Sequence, residues 1–144
     1  MGDVYVQVGD MAYSKDTTKV PVKYAVNSQA LMKEATTASL RGAKGLTPDK
    51  VVDPKTKAEP KGFIVNFTLV AVNFVKVQGM DGVQCKLDGT VSSYPENKLI
   101  TQSLTGSATI SGVGDNDVRD CIKIATTNAM VKSVIPTLQK MPAP

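Results

Sequence analysis

The segment from Gly62 to Val77 is a run of β-forming residues that is apolar on both of its faces. The side chains of a strand point alternately to opposite faces, so this strand needs cover on both sides through its middle. Helices with small buried residues can cover the face of the odd-numbered residues. The other face has no obvious cover and is a candidate partner surface, which carries Val70, Val72 and Phe74.

A fully regular strand over this whole segment would be unusually long, because each residue adds about 3.3 Å. We therefore expect a bend or a β-bulge near Asn66 or Asn73.

Two shorter segments before this run also alternate between apolar and polar residues. The first predicts a strand from Val4 to about Tyr13. The second predicts a strand from Val20 to Val26. Pro21 lies within this second segment and indicates an edge strand, because proline cannot donate a hydrogen bond to a ladder.

A helix is predicted to follow these two strands. Asn27 and Ser28 are suitable N-cap residues, and the helical spacing ends near Arg41. Small residues on its buried side would let it lie close to the sheet; the expected stripe is Leu31, Ala35, Ala38 and Gly42.

Residues 43–61 form a segment rich in proline and lysine that shows no clean period. We interpret it as a long exposed loop, and loops of this length usually serve a function. Its lysines could contact phosphate, lipid headgroups or an acidic partner, while a merely solvated loop is the simpler alternative. The lysines of this candidate partner surface are Lys50, Lys55, Lys57 and Lys61.

The last third of the chain predicts two strands and a helix. Val83 to Val91 and Ile100 to Ile110 each alternate, the second with a file of serine and threonine opposite its apolar face. The final helix should run from Asp115 to about Lys140, with Pro136 kinking or ending it. Its expected core stripe is Val118, Cys121, Ile122, Ala125 and Ala129.

Together these elements predict one domain over residues 1–144, with the order ββαβββα. The expected fold class is α+β, a two-layer sandwich with a mainly antiparallel sheet and two helices on one face. A chain of 144 residues is long enough to bury such a core.

Composition makes most enzyme mechanisms improbable. The chain has no histidine, which removes the commonest general base and metal ligand. We find no cofactor or metal motif and expect none. The net charge of +4 comes almost entirely from lysine, so a nucleic-acid partner is not expected. No stretch is long and apolar enough to span a membrane.

The two cysteines, Cys85 and Cys121, fall on the apolar face of a strand and on the core stripe of the last helix. If that helix packs on that strand, both side chains point into one interface. They are then either two buried free thiols or a structural disulfide, and the spacing pattern permits both.

The order of strands and helices resembles small periplasmic domains of Gram-negative outer-membrane lipoproteins, such as the lipopolysaccharide-assembly lipoproteins. The lipid-bearing cysteine of those proteins has no counterpart, since Met1 stands in its place. The resemblance implies a non-enzymatic adaptor of the cell envelope that contacts a larger protein or a lipid, including anionic lipid. It would be periplasmic or exported if a signal had been removed, and cytoplasmic otherwise.

Two alternative functions are also compatible with the sequence. The strand with two apolar faces and the strand faced with serine and threonine would suit a structural subunit that self-associates into a tube, sheath or shell. A hydrolase with an unrecognised carboxylate or Ser–Lys site is the second alternative, and it would need a deep polar pocket.

Overall fold

A five-stranded sheet carries two helices on one face in a computed structural model, which describes residues 3–142 except positions 53 and 59 and the side chain of Val26. In chain order the elements are β1 (Val4–Tyr13), α1 (Val22–Arg41), β2 (Leu46–Thr47), β3 (Gly62–Val77), β4 (Met80–Tyr94), β5 (Leu99–Ser111), α2 (Asp115–Ala129), a π-helical turn (Met130–Val134) and α3 (Ile135–Lys140).

The strands lie in the order β2-β1-β3-β4-β5. β3, β4 and β5 are antiparallel to one another, whereas β1 is parallel to both β2 and β3. α1 packs on β1, α2 packs on β4 and β5, and the two helices contact each other over one continuous core. The predicted α+β class is therefore confirmed, with a sheet that is mixed rather than purely antiparallel.

The predicted second strand, Val20 to Val26, is wrong. α1 begins at Val22 with Pro21 as its N-cap, and the carbonyl of Pro21 accepts hydrogen bonds from the N–H groups of Tyr24 and Ala25 at 3.0 and 3.2 Å. Proline suits this position because its fixed φ fits a helix start and its missing N–H is not needed there. The chain consequently has one strand, not two, before its first helix.

The predicted stripe of α1 is confirmed at Ala35 and, in part, at Leu31, which packs against the core, but Ala38 and Gly42 are exposed. Because the helix starts earlier and packs against α2 as well as β1, the buried residues include the polar Ser28 and Thr36. Their hydroxyls donate to the carbonyls of Ala25 and Met32, which satisfies them inside the core. The buried side of α1 consists of Ala25, Ser28, Met32, Ala35, Thr36 and Leu40.

The bounds predicted for β3 are confirmed, and the expected irregularity is a bulge at Val70. Leu69 pairs with Leu87, but Ala71 pairs with Lys86 and Val72 with Cys85, so Val70 is an extra residue. An extra residue reverses which side chains face the helices. Val72 is therefore in the core, with 3% of its surface exposed, although it was predicted to lie on an uncovered face.

A second irregularity lies opposite Asn66, in β1. Val8 pairs with Val65 and Met11 pairs with Phe67, so two residues of β1 face one residue of β3. The side-chain oxygen of Asn66 accepts the backbone N–H of Asp10 at 2.8 Å and so replaces a missing ladder bond.

The last helix reaches Lys140 as predicted, and its predicted core stripe is buried. Pro136 does not end the helix. The wide π-helical turn Met130–Val134 comes just before Pro136, where the proline ring removes a hydrogen bond from a regular helix.

Side chains from the helices bond to the outer edges of the sheet. Asn128 and Ser133 donate to the backbone carbonyls of Ser107 and Thr105 in β5, at 3.0 and 3.5 Å. Gln29 does the same for the carbonyl of Met11 in β1, at 2.7 Å. These contacts occupy edge groups that would otherwise pair with another strand.

Gly106 in β5 allows α2 to approach the sheet closely. A Cβ atom there would lie 2.5 Å from Cβ of Ala129 and 2.6 Å from the carbonyl oxygen of Ala125. We expect Gly106→Ala to push the helix away and to lower the free energy of unfolding by about 1–3 kcal/mol. Urea denaturation followed by circular dichroism measures this change.

Gly42 provides a matched control for that substitution. It ends α1 with a helical φ of −88°, and the nearest atom to an added Cβ is 3.8 Å away. Gly42→Ala should be neutral or stabilise the protein by less than about 1 kcal/mol. Equal losses at both positions would contradict the close packing at Gly106.

Candidate functional site

Two exposed apolar residues lie at the end of the sheet where β3 begins, β4 ends and β5 begins, which we call the Tyr94 end. Leu99 and Ile100 open β5, with 58% and 44% of their surfaces exposed. Ile100 was predicted to face the core with the rest of its strand. The pairing of β4 and β5 shifts register twice here, and Ser103 has a positive φ of 62°. Ile100 is consequently exposed beside Phe63 and is not buried in the core.

An open cleft of about 460 Å³ occupies the Tyr94 end. Phe63 of β3 and Tyr94 of β4 line it, together with Ile100. The chain that follows α3 adds Met141 and Pro142. Lys61 and Glu96 are the charged residues of its lining, and both are exposed. The cleft is therefore an apolar hollow with one charge of each sign at its mouth.

Two tyrosines lie beside the cleft on the sheet face away from the helices. The rings of Tyr5 and Tyr94 meet edge to face, with centroids 5.0 Å apart. The ammonium group of Lys50 lies 5.6 Å from the centroid of the Tyr94 ring, within cation–π range. This contact places Lys50 of the lysine-rich segment beside a residue that lines the cleft.

The four predicted lysines of that segment, Lys50, Lys55, Lys57 and Lys61, are all exposed. The segment also exposes two apolar side chains, Val51 and Val52. β2 interrupts the predicted loop where it pairs with β1, and Arg41 forms a bidentate ion pair with Asp49 at 2.9 and 3.2 Å. The structure thus places Lys61 in the lining of the cleft and Lys50 against the ring of Tyr94, which sequence spacing alone did not indicate.

Val70, Val72 and Phe74 do not form one exposed surface. Val70 is half-buried at the bulge, and Val72 is in the core. Phe74 is exposed at the opposite end of the sheet, where its ring centroid lies 6.4 Å from that of Tyr24 in α1. Phe74 and Val113 also line one shallow hollow, and we call Tyr24, Phe74 and Val113 the Phe74 patch.

An ion pair joins the first turns of the two helices beside the Phe74 patch. Lys23 contacts Asp115 at 2.9 Å, and the hydroxyl of Tyr24 donates to the same carboxylate at 3.4 Å. The hydrogen bond from Lys23 lowers the pKa of Asp115 and raises the pKa of Lys23. Because both groups are exposed, the pair contributes little to stability and mainly orients the two side chains.

Cys85 and Cys121 are brought together between β4 and α2, as free thiols that are fully buried. Their hydrogen bond, together with burial, raises the pKa of Cys85. The same hydrogen bond lowers the pKa of Cys121 because it stabilises a thiolate there, while burial opposes this effect. The thiol of Cys121 also lies 3.4 Å from the carbonyl of Ala108. The disulfide between the two cysteines stays a prediction.

We expect a mild oxidant such as oxidised glutathione to bond this pair. Each thiol loses one proton and one electron, and the oxidant is reduced to two thiols. The bond should raise the free energy of unfolding by about 4 kcal/mol, because the loop it closes in the unfolded chain is long. Alkylation after unfolding, counted by mass spectrometry, measures the free thiols. Cys85→Ala is the control, and two alkylated cysteines after oxidation would refute the expected bond.

Within residues 3–52, 54–58 and 60–142, no group of three or more His, Cys, Asp or Glu side chains could hold a metal ion. None of the helices described there is long and apolar enough to cross a membrane.

Comparison with known proteins shows the fold. No family model matches the sequence. No curated protein matches it significantly. The hypothetical protein CT253 from Chlamydia trachomatis is 12% identical at a TM-score of 0.54, over 96% of this chain and 94% of that one. Protein XCC0632 from Xanthomonas campestris, described as DUF330, is 7% identical at a TM-score of 0.57, over 94% and 84%.

A protein from Caulobacter crescentus CB15 that is described as a candidate lipoprotein is 12% identical at a TM-score of 0.49, over 93% of each chain. The likeness to the proteins from Chlamydia trachomatis and Xanthomonas campestris shows a shared fold, and at such identities it carries no function with it.

Proposed function

We propose that the protein is a non-enzymatic binding module of the bacterial cell envelope, which contacts a larger protein or a lipid through the Tyr94 end. One observation carries this proposal: exposed apolar residues, an open apolar cleft and a lysine-rich segment occur together at that end. Exposed apolar groups beside charged ones are typical of interaction surfaces. The location in the envelope extends the resemblance in element order to outer-membrane lipoproteins.

The chemistry of the cleft favours binding over catalysis. Its lining is mainly apolar, and Lys61 and Glu96 are its charged side chains. Catalytic acids and bases generally need burial or close charged partners to adjust their pKa values. Both of these residues are exposed instead, so the hydrolase alternative gains no support from the cleft.

Site-specific photo-crosslinking tests the binding role. A photoreactive amino acid at Ile100 should capture a partner, protein or lipid, in intact cells that make the protein. The same group at Ile124 of α2, which is equally exposed and lies outside both the Tyr94 end and the Phe74 patch, should capture several-fold less. Equal capture at the two positions would contradict a binding surface at the Tyr94 end.

A structural subunit that self-associates is the second candidate, and the Phe74 patch favours it. Half of the Phe74 surface is exposed beside Tyr24, where a second copy could cover it. If the patch holds copies together, Phe74→Asp should shift the sedimentation coefficient to that of a monomer, because burying an unpaired carboxylate is costly. Leu99→Asp is the matched control, and identical sedimentation of wild type and Phe74→Asp would remove the self-association role of the patch.

A further inference from the structure

We infer that the Tyr94 end docks on the surface of an anionic lipid bilayer and takes an acyl chain into its cleft. This inference rests on the proposed binding role and specifies the class of its ligand. Three features of the described residues support it: the chemistry of the surface, its position in the topology and its charge.

The surface has the composition of a membrane-interface contact. Leu99 and Ile100 supply exposed aliphatic groups, and Val51 and Val52 supply two more in the adjacent segment. Apolar side chains that enter the acyl boundary, beside lysines that reach the headgroups, hold interfacial proteins on bilayers. Tyr94, at the mouth of the cleft, is of a residue type that is enriched at headgroup level.

The cleft is suited to a single apolar chain. It is open to solvent and has a volume of about 460 Å³. Phe63, Ile100 and Met141 give it aliphatic and aromatic walls. A bilayer is a source of such chains at the same place where its headgroups meet the lysines. A protein partner would have to supply both an apolar projection and acidic groups.

The topology places the cleft and the residues around it at one end of the sheet. β3 begins there with Gly62, β4 ends there with Tyr94, and Tyr5 near the start of β1 pairs with Gly62. Because β1 is parallel to β3, the chain also enters the domain at this end. The start of β1, the start of β3 and the end of β4 therefore share the end of the sheet at which we place the bilayer.

The charges at this end suit an anionic surface. Lys61 lines the cleft and Lys50 stands against the Tyr94 ring, so these two lysines outnumber Glu96, the acidic residue of the lining. Each lysine near an anionic bilayer should strengthen binding about fivefold, an effect that salt screens. Association should therefore weaken as ionic strength rises, and the loss should be smaller once lysines are removed.

The chain has no tryptophan, so a single introduced tryptophan reports on one position. We would mix Ile100→Trp with vesicles of equal parts phosphatidylglycerol and phosphatidylcholine. Its emission should shift to the blue, and brominated acyl chains should quench it. Ile124→Trp, at an equally exposed position on α2, is the control and should not change. No shift at Ile100→Trp, or equal shifts at both positions, would overturn the inference.

Charge variants separate lipid docking from nonspecific attraction. Lys50→Gln with Lys61→Gln should weaken vesicle binding by roughly 25-fold, about fivefold for each lysine. Lys15→Gln with Lys19→Gln removes the same charge from the exposed loop before α1 and should leave binding nearly unchanged. Equal losses in the two double variants would overturn docking through the Tyr94 end.

Flotation with vesicles distinguishes this inference from the proposed function. Leu99→Asp with Ile100→Asp should reduce flotation about tenfold or more, because two exposed side chains lose their apolar character. Circular dichroism confirms that the variant is folded. If vesicles are not bound but crosslinks at Ile100 to a protein persist, the lipid inference fails and the binding role stands. If neither vesicle binding nor a crosslink at Ile100 is observed, the lipid inference and the proposed binding role both fail.

Discussion

The bulge at Val70 is the constraint on which the arrangement of the core depends. Up to Leu69, the odd-numbered residues of β3 face the helices; after the bulge, Val72 does so instead. One inserted residue therefore lets a strand that is apolar on both faces present a continuous core to α1 and α2. Without the bulge, some apolar residues in the second half of β3 would face the helices and others would face solvent.

The helix layer is held by small residues and by paired polar groups. Gly106 admits Ala125 and Ala129 to close contact, and the two cysteines fill the adjacent space between β4 and α2. This close packing makes the sheet and helices a rigid support. The segments that carry exposed apolar and basic groups leave that support at its ends, which is where binding surfaces of globular domains are generally found.

Sequence patterns predicted the elements whose periodicity is long and regular. The bounds of β3 and the core stripe of α2 were read correctly because many residues repeat one spacing. The strand predicted from Val20 to Val26 was wrong, because the pattern of so short a run is the same for a strand and for a helix start that contains Pro21. For the site, the lysines were visible as composition. The exposure of Ile100 could not be predicted, because the register shifts that cause it do not alter the alternation of apolar and polar residues in the sequence.

The first strand begins and the last helix ends on the same side of the domain. Val4 at the start of β1 and Met141 after α3 line one hollow, while the hairpin of β3 and β4 carries Phe74 away from it. Any segment joined to either end would therefore emerge beside the cleft. The Phe74 patch lies at the opposite end of the sheet, so it would face away from such a segment and stay accessible to another molecule.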